Sequence, residues 1–148
     1  MIARRTFIGT LAGGLLASPF TTFAQQTTKL PRVGYLGNVE RSPLHEGFRQ
    51  GMRELGYVDG RNVTMEWRWS EGRTDWLPAL ALELVQLNVD IIVATSTQSV
   101  RAAMQATSRI PIVMGLSAYP DKIGLVGSLA RPGGNVTGMT SNYSEIAG

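Results

Sequence analysis

The stretch that decides the fold of this chain is Asp90-Ile91-Ile92-Val93-Ala94-Thr95-Ser96-Thr97. Its run of apolar, mostly β-branched residues is typical of a strand that is buried on both faces, as at the centre of a parallel sheet. The hydroxyl residues that follow belong to the types that cap the first turn of a helix. The sequence therefore predicts a central strand that leads directly into a helix.

The same strand-to-helix pattern occurs upstream. Residues 32–37 predict a short buried strand that runs into a Gly-Asn turn. Ser42 then supplies an N-cap oxygen, and Pro43 suits the first helical turn, where no backbone donor is needed. Apolar residues recur at helical spacing as far as Gly56, which stands where a C′ glycine ends a helix. A first helix is therefore expected between Pro43 and Gly56.

A period-two pattern follows this helix and predicts an edge strand with one buried face. The alternating apolar residues are Val63, Met65, Trp67 and Trp69. A second helix is expected after a cap at Thr74 or Asp75, because Pro78 then lies in the first turn, where proline is tolerated.

Two further strands are expected downstream, at residues 111–115 and 135–138, with a short helix-like stretch after Asp121 that includes Leu125 and Leu129. Strands and helices thus alternate at short intervals along the chain. This alternation predicts an α/β fold, an open parallel sheet with helices on both faces and right-handed crossovers.

The start of the chain has the pattern of an export signal. Arg4 and Arg5 precede an apolar stretch at residues 7–20, and small residues lead to Ala24. The apolar stretch is too short to cross a bilayer core of about 30 Å. We therefore predict a signal peptide at residues 1–24, cleaved near Ala24, and a mature protein in the periplasm. The paired arginines resemble the twin-arginine motif, and an ordinary Sec signal is the alternative.

Export changes the meaning of the composition. The chain has 14 Lys and Arg residues, of which Arg4 and Arg5 lie in the leader, so 12 remain against 11 Asp and Glu in residues 25–148. No basic stripe is left that would favour nucleic acid as a partner. The chain has no cysteine, which excludes disulfides, thiolate metal sites and a lipidated cysteine as a direct membrane anchor.

Three predicted loops leave strands at the carboxyl edge of the sheet, where ligands bind in open parallel sheets. They are residues 37–42, 95–98 and 117–121, and they consist mainly of hydroxyl, amide and glycine residues. Such groups can orient a small polar ligand, and the helix that begins near Thr97 would favour an anionic group such as a carboxylate. The alternative is that these side chains only cap helices.

Signals for catalysis are weak. His45 is the only histidine and lies within the first predicted helix, so a core or solvated role is favoured over a catalytic one. No phosphate-binding, dinucleotide or nucleophile-elbow motif occurs, and no residues have metal-ligand spacing. Trp67, Trp69 and Trp76 could stack on a ligand, but the alternating pattern favours core packing. The sequence therefore predicts a binding protein without cofactor rather than an enzyme.

Several of these segments together resemble the periplasmic substrate-binding proteins of ABC transporters, in the group of tryptophan- and tyrosine-type binding components. Besides Arg4-Arg5, they include Val33-Gly34-Tyr35-Leu36-Gly37, Leu55-Gly56-Tyr57-Val58-Asp59-Gly60, Ile110-Pro111-Ile112-Val113 and Arg131-Pro132-Gly133-Gly134-Asn135-Val136-Thr137-Gly138. The resemblance implies the first lobe of a two-lobed type I binding protein, with flavodoxin-like strand order. It further implies a small ligand held between the lobes, amino-acid-like as the name of the group indicates, and an ABC permease as membrane partner.

Residue by residue, the resemblance places five positions on loops that face the ligand: Asn38, Ser96, Thr97, Ser117 and Asp121. The chain ends at Gly148, where members of this family cross to a second lobe, so we expect residues 25–148 to form the N-terminal lobe with the second lobe missing. Two other functions stay open: an extracytoplasmic ligand-sensing lobe, and a small periplasmic flavodoxin-like enzyme.

Overall fold

The computed structural model describes residues 29–117, 120–128 and 130–140. The predicted signal peptide lies outside these residues. The strands are β1 (Arg32–Gly37), β2 (Thr64–Trp69), β3 (Ile91–Ala94), β4 (Ile112–Ser117) and β5 (Val136–Thr140). The helices are α1 (Pro43–Glu54), α2 (Leu77–Gln86) and α3 (Thr97–Ala106), and a 3-10 turn (Thr74–Trp76) precedes α2.

The strands form one parallel sheet in the order β2-β1-β3-β4-β5. This is the flavodoxin-like order, and it confirms the predicted fold class. The chain moves from β1 outward to β2 and then returns across β1 to β3, so the order reverses between β1 and β3. In open sheets of this kind the ligand crevice lies at such a reversal, outside the carboxyl ends of the strands.

The central strands are buried by helices on both faces of the sheet. On one face, Leu36 of β1 and Ile92 of β3 join the main apolar core with residues of α2 and α3. Successive side chains of a strand point to opposite faces, and Tyr35 accordingly packs against Phe48 of α1, with 5.2 Å between ring centroids. Residues 92–94 of the continuous apolar run are buried for this reason, and Ile91 at its start is half-buried.

Helix α1 begins and ends where the sequence predicts. The Ser42 side chain accepts a hydrogen bond from the backbone N–H of His45 at 3.2 Å, and Pro43 occupies the first turn. Leu55 is the C-cap, and Gly56 adopts a φ of 85° just beyond it. Both predicted end signals of this helix are therefore confirmed.

Two local predictions are wrong. No side chain caps the 3-10 turn or α2, because the Arg73 carbonyl takes the Trp76 N–H, and the Asp75 carboxylate pairs with the Arg73 guanidinium at 3.2 Å instead. The stretch after Asp121 forms turns rather than a helix. The backbone N–H groups of Leu125 and Val126 both donate to the carbonyl of Pro120, and these two hydrogen bonds form the turn. Leu129 lies outside the described residues.

Strand β2 lies at the sheet edge as predicted, but both of its faces are half-buried. The polar face is covered by a chain of ion pairs. Glu66 lies 3.7 Å from the Arg32 guanidinium and 3.8 Å from that of Arg68, which in turn contacts Glu83 of α2 at 2.7 Å. The expectation of a single buried face is therefore wrong, because the long stems of these charged side chains cover the polar face.

The pairing of β4 with β5 depends on Gly138. Its φ is 140°, and a Cβ atom at this position would stand 2.3 Å from the carbonyl oxygen of Met114. The register of the two strands shifts between Met114 and Ser117 at this point. Only glycine tolerates both the backbone conformation and the close approach.

Candidate functional site

Three of the predicted loops meet at the carboxyl edge of the sheet, around the reversal in strand order. Leu36 pairs with Ala94, and Ala94 pairs with Met114, so the ends of β1, β3 and β4 lie side by side. The Thr95 N–H donates to the Leu36 carbonyl at 3.2 Å, which fastens the start of the β3 loop to β1. The structure thus brings the first, third and fourth strand ends together, as the sequence predicts.

The closest pair among the predicted site residues is Thr97 and Ser117. Their hydroxyl oxygens lie 3.2 Å apart. Thr97 is the first residue of α3 and is half-buried, and Ser117 is the last residue of β4 and is buried. Two hydroxyl groups and the free N–H groups of a helix start therefore lie at one place on the carboxyl edge.

Ser96 is engaged in capping α3. Its side chain accepts from the backbone N–H of Ser99 at 3.1 Å, and the Ser99 hydroxyl accepts from the backbone N–H of Ser96 at 2.8 Å. This reciprocal capping box is the alternative that the sequence left open for this position. A ligand contact by Ser96 stays a prediction.

Asn38 is exposed and is fixed by a loop that the sequence analysis did not include. The Ser70 hydroxyl donates to the Asn38 side-chain oxygen at 3.3 Å, and the Gly72 N–H donates to the Asn38 carbonyl at 3.3 Å. Ser70 directly follows β2, and the carboxyl ends of all parallel strands lie at one edge. Its position after a predicted strand was the signal that could have identified this fourth loop.

Asp121 lies in an exposed turn after β4. Its carbonyl accepts the N–H of Gly124 at 3.4 Å. Residues 118–119, which connect it to Ser117, lie outside the described residues. Of the five predicted residues, the structure therefore brings Thr97 and Ser117 into contact, with Ser96 next to Thr97. Asn38 contacts Ser70 instead. A ligand contact by Asp121 stays a prediction.

An aromatic cluster lies behind the β1 loop and includes the only histidine. His45 is 3% exposed, and its ring centroid lies 4.8 Å from that of Trp67 and 4.7 Å from that of Trp69. Its Nδ1 contacts the Glu40 carbonyl, whereas its Nε2 has no hydrogen-bond partner among the described residues. Of the core and solvated positions that the sequence left open for His45, the structure shows the core position.

The three tryptophans differ in their surroundings. Trp67 and Trp69 stack on each other with 5.9 Å between centroids and 7° between planes, as core packing predicts. Trp76 is 42% exposed, with the guanidinium of Arg73 4.5 Å above its ring. Core packing is therefore wrong for Trp76, because it belongs to the 3-10 turn and not to the strand.

Tyr35 belongs to the same cluster, and its ring contacts those of His45, Phe48, Trp67 and Trp69. Its side chain is fully buried, and burial raises the pKa of its phenol to about 12. The Thr95 hydroxyl offsets part of this rise in pKa, although it is not placed for a regular hydrogen bond to the phenol. The neutral form of Tyr35 is thus strongly favoured beneath the strand ends.

Over the described residues, no group of three or more His, Asp or Glu side chains is arranged to hold a metal ion. Within the same part of the chain, none of the helices has the length and apolar character that a bilayer crossing requires.

Comparison with known proteins gives consistent matches. Residues 40–147 match the family described as ABC transporter substrate binding protein. A tyrosine-binding protein of Clostridioides difficile (strain R20291) is 39% identical over 121 residues, which are 80% of this chain and 35% of that protein.

Two solved structures share the fold. An ABC domain from Streptococcus pneumonia in complex with L-Trp superposes with a TM-score of 0.70 at 29% identity, over 76% of this chain and 39% of that one. The ligand-free, open structure of a substrate-binding protein with adhesive properties from Clostridium difficile gives a TM-score of 0.72 at 29% identity. This match covers 80% of the present chain and 41% of the other one.

The chain therefore spans between about a third and two fifths of the length of these relatives. The matched part contains four of the five strands of the described sheet, β2 to β5, and β1 precedes it. The family match covers well over half of the chain, and the chain belongs to the family of ABC transporter substrate-binding proteins.

Proposed function

We propose that this chain forms the first lobe of a substrate-binding protein that captures a small amino-acid-like ligand at the carboxyl edge of its sheet. The observation that carries this proposal is the contact between Thr97 and Ser117 at the start of α3, beside the reversal in strand order. The names of two relatives support an aromatic amino acid, since one is a tyrosine-binding protein and another was solved with L-Trp.

Each predicted residue has a role in this proposal. The N–H groups at the start of α3 and the Thr97 hydroxyl bind the ligand carboxylate, which the positive end of the helix dipole favours. Ser117 orients the Thr97 hydroxyl, and Ser96 holds the helix start in place through its capping box. Asn38 offers its amide from the β1 loop, and the Asp121 carboxylate pairs with the ligand ammonium group.

The wider setting belongs to the same proposal. The leader at residues 1–24 directs the protein to the periplasm, where a second lobe completes the ligand cleft and an ABC permease in the membrane receives the ligand. The protein acts by binding and not by catalysis. Support comes from the family, whose name links its members to ABC transporters.

The test is titration of the ¹⁵N-labelled chain with L-tyrosine and L-tryptophan, monitored by NMR, which detects weak binding. We expect saturable shifts of the backbone signals of residues 95–99. Thr97→Val retains the shape of the side chain and removes its hydroxyl. We expect binding to weaken by roughly 10- to 150-fold, because a hydrogen bond to a charged group contributes about 1.5–3 kcal/mol.

Thr107→Val is the matched control. Thr107 follows the opposite end of α3, and its hydroxyl accepts only from the backbone N–H groups of Arg109 and Ile110. This variant should bind both amino acids as the unmodified chain does. Equal affinity of the folded Thr97→Val variant contradicts the site, and failure of both amino acids to bind contradicts the ligand class.

A further inference from the structure

One cavity in the described residues lies away from the carboxyl edge. It has a volume of about 280 Å³ and lies between α1 and the edge strand β2. We call it the α1–β2 groove. Apolar side chains form its walls, among them Phe48, Met52, Val63, Met65 and Trp67.

The walls of the groove combine rigid and adaptable parts. Val63 is 2% exposed and Trp67 is held by its stack on Trp69, so this side is fixed. Met52 and Met65 line the same cavity, and methionine is flexible enough to adapt to an irregular ligand. A cavity of about 150 Å³ suffices for benzene, so the groove has room for a longer apolar body.

The mouth of the groove is positively charged. Arg49 and Arg53 of α1 line it, one helical turn apart, and neither guanidinium group has a hydrogen bond or ion pair to another described residue. The one carboxylate in the lining belongs to Asp59, which accepts the backbone N–H of Met65 at 2.9 Å. The groove therefore offers two guanidinium groups without a partner at the rim of an apolar cavity.

We propose that the α1–β2 groove is a second binding site, separate from the amino-acid site, for a free carboxylate with an unbranched apolar chain. The guanidinium groups of Arg49 and Arg53 bind the carboxylate, for which the planar fork of arginine is well shaped. The hydrocarbon chain of the ligand lies between Met52 and Trp67, where it displaces water from the apolar walls of the groove.

The test is NMR titration of the ¹⁵N-labelled chain with hexanoate, octanoate and decanoate below their micelle concentrations. The chain has three tryptophans, so the indole N–H signals report the position of binding. Trp67 lines the groove and should shift most, whereas Trp76 lies outside it and should not move. Each methylene buried adds about 0.8 kcal/mol, so affinity should rise roughly 3- to 4-fold with each added carbon.

Head-group probes and variants test the charge. We expect 1-octanol and octylammonium to bind at least about 10-fold more weakly than octanoate. The double variant Arg49→Gln with Arg53→Gln should remove this preference while retaining the fold, because both side chains are exposed. Arg61→Gln is the matched control, since Arg61 is exposed nearby but does not line the groove.

Three results of the fatty-acid titrations would overturn the proposal. They are equal shifts of Trp67 and Trp76, no dependence of affinity on chain length, and unchanged octanoate binding in the double variant. Binding to phosphatidylglycerol vesicles without binding to octanoate also contradicts it, since the charged surface then recognises a membrane. Thr97→Val should leave octanoate binding unchanged, which keeps this test independent of the amino-acid site.

Discussion

Replacing Gly37 with alanine tests how tightly the aromatic cluster packs against the end of β1. Gly37 is the last residue of β1, and a Cβ atom there would stand 2.6 Å from Cζ3 of Trp69 and 2.9 Å from Cε1 of Tyr35. Ordinary van der Waals contact needs about 3.5–4.0 Å between carbon atoms. The Trp69 indole therefore has to move by about 1 Å, and the end of β1 has to shift by roughly 0.6 Å away from Tyr35, which is fully buried.

The cost of this movement follows from the contacts that Trp69 makes. Overpacking of a well-packed site costs about 1–3 kcal/mol, and the aromatic contacts of Trp69 with Trp67 and His45 contribute about 0.5–1.5 kcal/mol each. Since these contacts are weakened and not abolished, we expect Gly37→Ala to lower the free energy of unfolding by about 2 kcal/mol.

The assay is urea unfolding, followed by tryptophan fluorescence and by far-UV circular dichroism on the same samples. Gly51→Ala is the matched control, because Gly51 lies inside α1 and an added Cβ meets nothing within 4 Å. This control should raise the free energy of unfolding by about 0.5–1 kcal/mol, the usual helical preference for alanine. The reasoning fails if Gly37→Ala is within about 0.5 kcal/mol of the unmodified chain.

Two further predictions concern β5 and the buried phenol. Gly138→Ala should lower the free energy of unfolding by more than about 2 kcal/mol, because the added Cβ meets the Met114 backbone and the φ of Gly138 is 140°. Gly134→Ala is the control, since its Cβ meets nothing within 4 Å, and it should change the free energy of unfolding by less than about 0.5 kcal/mol. Equal effects of the two substitutions would contradict this account. Tyr35 should ionise near pH 12 in an absorbance titration of the folded chain. Because the unfolded phenol ionises near pH 10, the contribution of Tyr35 to stability is complete below pH 10 and is lost as the pH rises to about 12. Tyr35→Phe should remove that part of the pH dependence, and an unchanged high-pH slope would show that another group causes it.

The sequence was most informative where a structure is set by neighbours along the chain. The apolar run at residues 91–94, the Ser42-Pro43 start of α1 and the glycine at position 56 each carry a complete local signal. Strand order followed less directly, through the family resemblance. These features could be predicted because burial on both faces, capping and positive φ each restrict the residue types that fit.

The sequence was less informative where distant parts of the chain compete for the same groups. The Arg73 carbonyl takes the Trp76 N–H that a Thr74 cap would have bound, and the Asp75 carboxylate pairs with Arg73. The Pro120 carbonyl likewise accepts the N–H groups of Leu125 and Val126 after Asp121. Of the candidate site, the three loops were predicted, but the contact between Ser70 and Asn38 joins residues 32 positions apart. The α1–β2 groove has no sequence signal of its own, because its walls come from a helix, a loop and a strand.

The chain of ion pairs along β2 has a consequence for how this protein avoids aggregation. An unprotected edge strand can pair with a strand of another molecule, and charged side chains along the edge oppose such pairing. Glu66 and Arg68 protect β2 in this way, whereas β5 at the opposite edge of the described sheet has no charged residue and exposes Met139. Strand pairing between copies of this sheet is therefore expected to begin at β5 and not at β2.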